Sequence, residues 1–72
     1  MIENYIELAN AIIVLAAKDY KFTIRFLAKN PNHAKALQEK KDIEEFFLSE
    51  YFYTLTSIDG KKLIKKLQEK YL

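Results

Sequence analysis

The hydrophobic positions of residues 2–29 repeat at the spacing of one long α-helix. At about 100° per residue, charged side chains converge on one side and hydrophobic side chains on the other. The charged side holds Glu3, Glu7, Lys18, Lys21, Arg25 and Lys29. Opposite lie Tyr5, Ile6, Ala9, Ile13, Ala16, Tyr20, Ile24 and Leu27, with a neighbouring row of Leu8, Ile12, Leu15, Phe22 and Phe26. The two rows cover about half of the circumference, which is wider than the ~100° stripe of a typical surface helix.

The sequence Asn30-Pro31-Asn32 predicts the end of this helix and the start of a second one. Proline disfavours helical backbone at the preceding residue, so the first helix is expected to end near Lys29, after about 40 Å. Asn32 is a favoured residue type for capping the next helix, which the pattern places at about 33–48. The first half of this second helix is highly polar.

An aromatic segment follows at residues 46–53, which hold five of the ten aromatic side chains. These five point in almost every direction around a continuous helix, so one core cannot take them all. Ser49 lies where the hydrophobic phase shifts. The sequence allows either a short separate helix over 50–55, capped by Ser49, or a continuous helix that bends there.

The start signal of a C-terminal helix is Thr56-Ser57-Ile58-Asp59, which matches [S/T]-x-x-[D/E] before a hydrophobic-periodic run. The pattern predicts a helix over about 57–71. Its buried stripe is Leu63, Ile64, Leu67 and Tyr71, and Gly60 on the same side would allow a close backbone approach. We therefore predict an all-α fold in which residues 1–72 form a single small helical bundle around the long first helix.

Composition argues against an enzyme. The 72 residues include no cysteine and one histidine, His33, so thiol chemistry and ordinary zinc sites are not expected. No glycine-rich phosphate loop, G-x-S-x-G or H-E-x-x-H motif is present. The carboxylates at 39, 42 and 45 lie among lysines at ion-pair spacing, such as Lys40 with Glu44, which indicates a solvated face. We predict no catalytic residue, no cofactor, no metal and no small-molecule substrate.

The net charge of +2 is mild but unevenly distributed, with −2 over residues 33–56 and +3 over 57–72. The basic excess comes from five lysines on the last helix, which form a candidate nucleic-acid face: Lys61, Lys62, Lys65, Lys66 and Lys70. Such lysines would neutralise phosphates, yet this helix offers only Gln68 and no arginine to read bases. Nucleic-acid binding is therefore the alternative function.

The longest hydrophobic run, Ala11 to Ala17, is far shorter than a membrane span, so no membrane partner is expected. Acidic Glu3 and Glu7 precede it, unlike the basic start of a signal peptide, and the predicted location is the cytoplasm.

More hydrophobic helix surface is present than one short bundle needs, and small chains often bury such surface by associating. A core that absorbs all of it is the open alternative. The candidate protein interface comprises Leu8, Leu15, Phe22, Phe26, Phe46, Tyr51 and Tyr53.

The C-terminal half carries a longer pattern: Phe46-Phe47, Ser49, Phe52, Leu55-Thr56, Ile58-Asp59-Gly60, Leu63-Ile64 and Leu67. It resembles small proteins of phages, prophages and other mobile elements in Gram-positive bacteria, in which tryptophan is common where Tyr51 stands. The resemblance implies a setting and no catalytic residue. The sequence-based prediction is a non-enzymatic protein that binds itself or a host protein, with inhibition of a host enzyme or defence system as one use.

Overall fold

The computed structural model describes residues 2–71, and the side chains of residues 7–71. Four helices follow one another: α1 (Ile2–Lys29), α2 (Ala34–Phe47), α3 (Glu50–Leu55) and α4 (Gly60–Tyr71). Within that range no strand is present, so the predicted all-α bundle is confirmed. The 28 residues of α1 run the length of the molecule, whose longest dimension is 43 Å. No helix in the described range combines the length and apolar character needed to cross a membrane.

The end of α1 lies at Lys29, as Pro31 predicts, but the cap of α2 differs from the prediction. The Asn30 amide donates to the Phe26 carbonyl at 2.9 Å, and the His33 amide donates to the Asn30 carbonyl at 3.2 Å. His33 is the N-cap, because its Nδ1 accepts a hydrogen bond from the Ala36 amide at 3.2 Å. The prediction of Asn32 as the cap was wrong, since the turn places His33 three residues before a free helix amide.

The chain breaks between α2 and α3, which decides between the two alternatives at Ser49. Ser49 Oγ accepts from the Phe52 amide at 3.2 Å and donates to the Phe46 carbonyl at 2.6 Å. One hydroxyl therefore binds the end of α2 and the start of α3. The change of direction allows Phe47 and Phe52 to be fully buried together, with ring centroids 5.6 Å apart.

The last helix begins at Gly60, three residues after the predicted start at 57. Thr56 is extended and forms the C-cap of α3, and its Oγ1 accepts from the Ile58 amide. Asp59 Oδ1 accepts from the Lys62 amide at 3.2 Å, which is the N-cap geometry. The predicted helix of about 57–71 is confirmed, and its first residue lies slightly later because Asp59, rather than Thr56, caps it.

Gly60 allows α4 to lie directly against the end of α2. A Cβ atom at this position would stand 1.9 Å from the Phe47 carbonyl oxygen and 2.9 Å from its carbonyl carbon. Both atoms belong to the backbone and cannot rotate away. The close approach predicted for Gly60 is thus present, and it fixes where α4 meets α2.

The core lies between α1 and the three later helices, and its centre is Ile13, Tyr20, Ile24, Phe47 and Phe52. All three residues from α1 belong to its predicted inner row. Tyr5 and Ile6 of that row lie outside the described side chains. The α4 stripe of Leu63, Ile64, Leu67 and Tyr71 is partly buried against the same centre.

A polar network crosses this core. The hydroxyl of buried Tyr20 donates to Glu44 Oε2 at 2.5 Å and accepts from Gln68 Nε2 at 2.9 Å. Lys40 Nζ lies 2.7 Å from the same Glu44 oxygen, which confirms the ion pair predicted from their spacing. The network links α1, α2 and α4, so each helix is fixed in register by a bond as well as by packing.

The network shifts the acidity of two of its members. Burial raises the pKa of Tyr20 above its ordinary value of 10.0, and the bond to Glu44 raises it further. The bond from Gln68 acts in the opposite direction. Burial alone would raise the pKa of Glu44, but the hydrogen bonds from Lys40 and Tyr20 outweigh it and hold that pKa below 4.5. Tyr20 is therefore kept neutral and Glu44 is kept ionised.

Candidate functional site

Along one line of α1, four of the described hydrophobic side chains are exposed, and we call them the α1 strip. Leu8, Leu15, Phe22 and Phe26 are 61%, 61%, 70% and 44% exposed. Steps of seven residues are close to two helical turns, so the first three lie in line, and Phe26 follows one turn after Phe22. Because Tyr20 and Ile24 face the core from the same helix, the strip points away from it.

The spacing of the α1 strip is that of a coiled-coil seam. Leu8, Leu15 and Phe22 alternate with Ile12, Asp19 and Phe26 in steps of four and three residues. A 4-3 alternation keeps one seam facing a partner helix over several turns. Ile12 is half-buried, and Asp19 is the acidic member of this series. The amino-acid sequence alone contains this signal, because a seven-residue repeat depends only on the order of the residues.

Two of the shallow depressions lined by Phe22 carry opposite charges. The first lies between α1 and α2 and is lined by Asp19, Phe22, Thr23, Glu39, Asp42 and Ile43. The second lies on the other side of the ring and is lined by Phe22, Arg25, Phe26 and Lys29. The C-terminal half of the α1 strip, around Phe22, therefore runs between an acidic wall and a basic wall.

The acidic wall consists of Asp19, Glu39 and Asp42, and the basic wall consists of Lys18, Arg25 and Lys29. Lys18 joins the second set because it lies on the same side of α1 as Arg25 and Lys29 at 100° per residue. Each wall carries one opposite charge near an end. Lys35 lines the α1–α2 groove close to Phe26, and Glu7 lies at the N-terminal end of the basic side.

The other predicted interface residues have different surroundings. Phe46 is half-buried and packs against Phe47, Tyr51 and Phe52, with ring centroids 5.6, 6.2 and 5.7 Å away. Tyr51 is exposed beside it. Tyr53 is exposed along part of its ring, but its hydroxyl accepts a bond from the Gly60 amide at 3.3 Å. Tyr53 therefore helps to hold the start of α4, whereas Tyr51 is the more exposed of the two rings.

The candidate nucleic-acid face is present as an exposed surface of α4. All five of its lysines are exposed: Lys61, Lys62, Lys65, Lys66 and Lys70. Lys70 Nζ lies 5.5 Å from the centroid of the Tyr71 ring, and Lys21 Nζ from α1 lies 5.0 Å from it. Gln68, the side chain with base-reading chemistry, points inward to Tyr20 instead. The exposed face of α4 therefore offers positive charge without that amide.

His33, the single histidine of the chain, is engaged in local structure. His33 Nδ1 is engaged with the Ala36 amide, and its ring meets Phe26 edge-on at 4.9 Å. Across the described side chains, no group of three histidine or acidic residues is placed to hold a metal ion. Sequence reasoning missed the Tyr20–Glu44–Gln68 network, because its members are 24 and 48 residues from Tyr20. Comparison with known protein families, curated proteins and solved structures finds no match for this chain.

Proposed function

We propose that this protein acts by binding another protein chain through the α1 strip. The observation that carries the proposal is the exposure of Leu8, Leu15 and Phe22, each above 60%, on one line of one helix. Single exposed hydrophobic residues are common on protein surfaces. Large hydrophobic side chains that lie in one line form a continuous patch exposed to water, and such patches mark interaction surfaces.

The energetic argument follows from the area that a partner would remove from water. Fully burying a leucine or phenylalanine is worth about 1.5–3 kcal/mol, so covering four half-exposed ones offers roughly 4 kcal/mol. The inner face of α1 is already occupied by α2, α3 and α4. A helix or a flat surface of a partner protein would cover the α1 strip, which no other described helix of this chain covers.

The proposal extends to the setting implied by the resemblance, a small mobile-element protein in a bacterial cytoplasm. There the partner is the protein itself or a host protein, and covering a functional surface of a host enzyme or defence protein would inhibit it. Binding of this kind needs shape and hydrophobic contact and requires no reacting group. The lysine face of α4 carries a weaker case, since lysine is also the usual residue for solvating a helix.

Photo-crosslinking tests the proposal without presupposing the partner. A benzophenone amino acid replaces Phe22, and in a matched control it replaces Leu37, which is 46% exposed on α2 beside Pro31. We expect the label at 22 to give discrete protein adducts in cells, either of the chain with itself or with another protein. Equal or weaker adduct formation at 22 compared with 37 would contradict the proposed function.

A further inference from the structure

We propose that the partner of the α1 strip is a second copy of this chain, bound strip to strip with the two α1 helices parallel. The inference rests on the proposed function and adds the identity and the direction of the partner. The observation that supports the parallel dimer is that acidic and basic side chains lie on opposite sides of the strip. Asp19, Glu39 and Asp42 form one wall, and Lys18, Arg25 and Lys29 form the other.

The arrangement of the walls selects the direction of the helices. Two identical surfaces meet face to face around a two-fold axis that lies in the interface. An axis along α1 makes the helices parallel and places each acidic wall opposite the basic wall of the other copy. An axis across α1 makes them antiparallel and places acid against acid and base against base. Opposed like charges cost free energy and opposed unlike charges gain it, so the walls favour the parallel dimer.

The heptad spacing leads to the same geometry. In a parallel pair, equal-numbered residues lie opposite one another, and Leu8, Leu15 and Phe22 meet their own copies along one seam. Asp19 then packs into a hole that includes the partner's Lys18, because the residue before a seam position flanks it on the facing helix. A single polar seam residue lowers affinity but specifies the register. Asp19 also lies opposite its own copy across this seam, and the two contacts between Asp19 and the Lys18 of the other copy offset that like-charge repulsion.

The area of the strip sets the expected affinity. The exposed parts of its four side chains amount to roughly 400 Å² per copy, or about 800 Å² in a dimer. Contacts between the charged walls bring the total toward ~1,200 Å², the lower limit of stable specific interfaces. We therefore expect a reversible dimer with a dissociation constant in the micromolar range.

Sedimentation velocity from about 5 to 500 µM tests self-association of the intact chain. We expect the mass to rise from 8.5 kDa toward twice that value. Phe22→Gln should weaken the dimer at least tenfold, since the most exposed ring of the strip is lost, whereas Leu37→Gln should not. A wild-type chain that stays monomeric at 500 µM, or equal effects of the two substitutions, would overturn the inference.

The direction of the helices is tested with single cysteines, for which the cysteine-free chain is a clean background. Leu8→Cys and Phe26→Cys place thiols at the two ends of the strip. In the parallel dimer each variant forms a disulfide with its own copy under mild oxidation. In an antiparallel dimer the equal-numbered thiols are about 27 Å apart, and only a mixture of the two variants is linked. Leu37→Cys is the control.

The outcomes separate this inference from the proposed function. Linkage of each strip variant alone, well above the control, supports the parallel dimer. Linkage only in the mixture, or at the level of Leu37→Cys, overturns it. A monomeric chain whose label at position 22 captures a different protein refutes the dimer and leaves the proposed function standing. A monomeric chain whose label captures nothing refutes both.

Discussion

Substitution of Gly60 by alanine tests the packing of α4 against α2 most directly. The new methyl group would stand 1.9 Å from the Phe47 carbonyl oxygen, whereas ordinary contacts of this kind begin near 3.4 Å. The opposing atom is part of the backbone, so the start of α4 must move outward by more than about 1 Å. Such a shift separates Leu63, Ile64 and Leu67 from the core they pack against.

The magnitude follows from the contacts that this shift weakens. A buried leucine makes 40–60 atomic contacts of about 0.1–0.2 kcal/mol, and a gap of 0.5–1 Å forfeits at least a quarter of that attraction. For three half-buried side chains the loss is about 2 kcal/mol. The higher helix propensity of alanine returns less than about 1 kcal/mol at a first-turn position. We therefore expect a net loss of about 1.5 kcal/mol in the free energy of unfolding.

Thermal and urea unfolding followed by circular dichroism measure this loss. For a domain of this size about 1.5 kcal/mol corresponds to a decrease of roughly 6–12 °C in Tm. Lys61→Ala is the matched control, because it changes the next, exposed residue to alanine and should alter stability by less than about 0.5 kcal/mol. A Gly60→Ala variant as stable as this control would refute the close approach of α4 to Phe47.

Three further predictions concern the core network and the helix break. Tyr20→Phe removes the hydroxyl that binds the Gln68 amide and the Glu44 carboxylate, which then keeps only Lys40, and should cost about 1–3 kcal/mol by urea unfolding; an unchanged midpoint would contradict the buried network. Because the folded-state pKa of Glu44 is lowered, its stabilisation is present above about pH 4.5 and is lost as the pH falls through the lower folded value. Unfolding titrations should show that slope in the wild type and a weaker one in Glu44→Gln, so equal slopes would refute the assignment. Ser49→Ala removes the cap of α3 and should cost about 1 kcal/mol; Ser49→Asp, whose carboxylate can accept from the Phe52 amide but cannot donate to the Phe46 carbonyl, should recover part of this loss, and no recovery would contradict capping as the cause.

Local chemistry explains which elements were predictable. The end of α1 follows from Pro31, whose ring acts on the residue beside it in any tertiary context. The break at Ser49 appeared in the sequence only as one of two alternatives. The structure selected the separate helix, and the change of direction at Ser49 places both Phe47 and Phe52 in the core. The helix over about 57–71 was predictable, but its first residue was not, since Thr56 and Asp59 each have capping chemistry and the fold engages Asp59 with the helix.

For the candidate site, too, the sequence predicted part of the arrangement and the fold decided the rest. The sequence placed Leu8, Ile12, Leu15, Phe22 and Phe26 in a second hydrophobic row on α1, and the structure leaves all of them but half-buried Ile12 exposed. Composition does not distinguish the two rows. Tyr20 is fully buried and Phe22 is 70% exposed, although an aromatic ring stands at both positions.

The sequence by itself determined an all-α fold, a long first helix and an excess of hydrophobic helix surface, because periodicity, proline and capping chemistry act within a few residues. Only the tertiary structure decided which hydrophobic row is covered, where α4 begins against Phe47 and that Tyr20 meets Glu44 and Gln68. These features depend on the directions in which α2 and α4 cross α1. Packing of residues tens of positions apart sets those directions, and no local pattern encodes them.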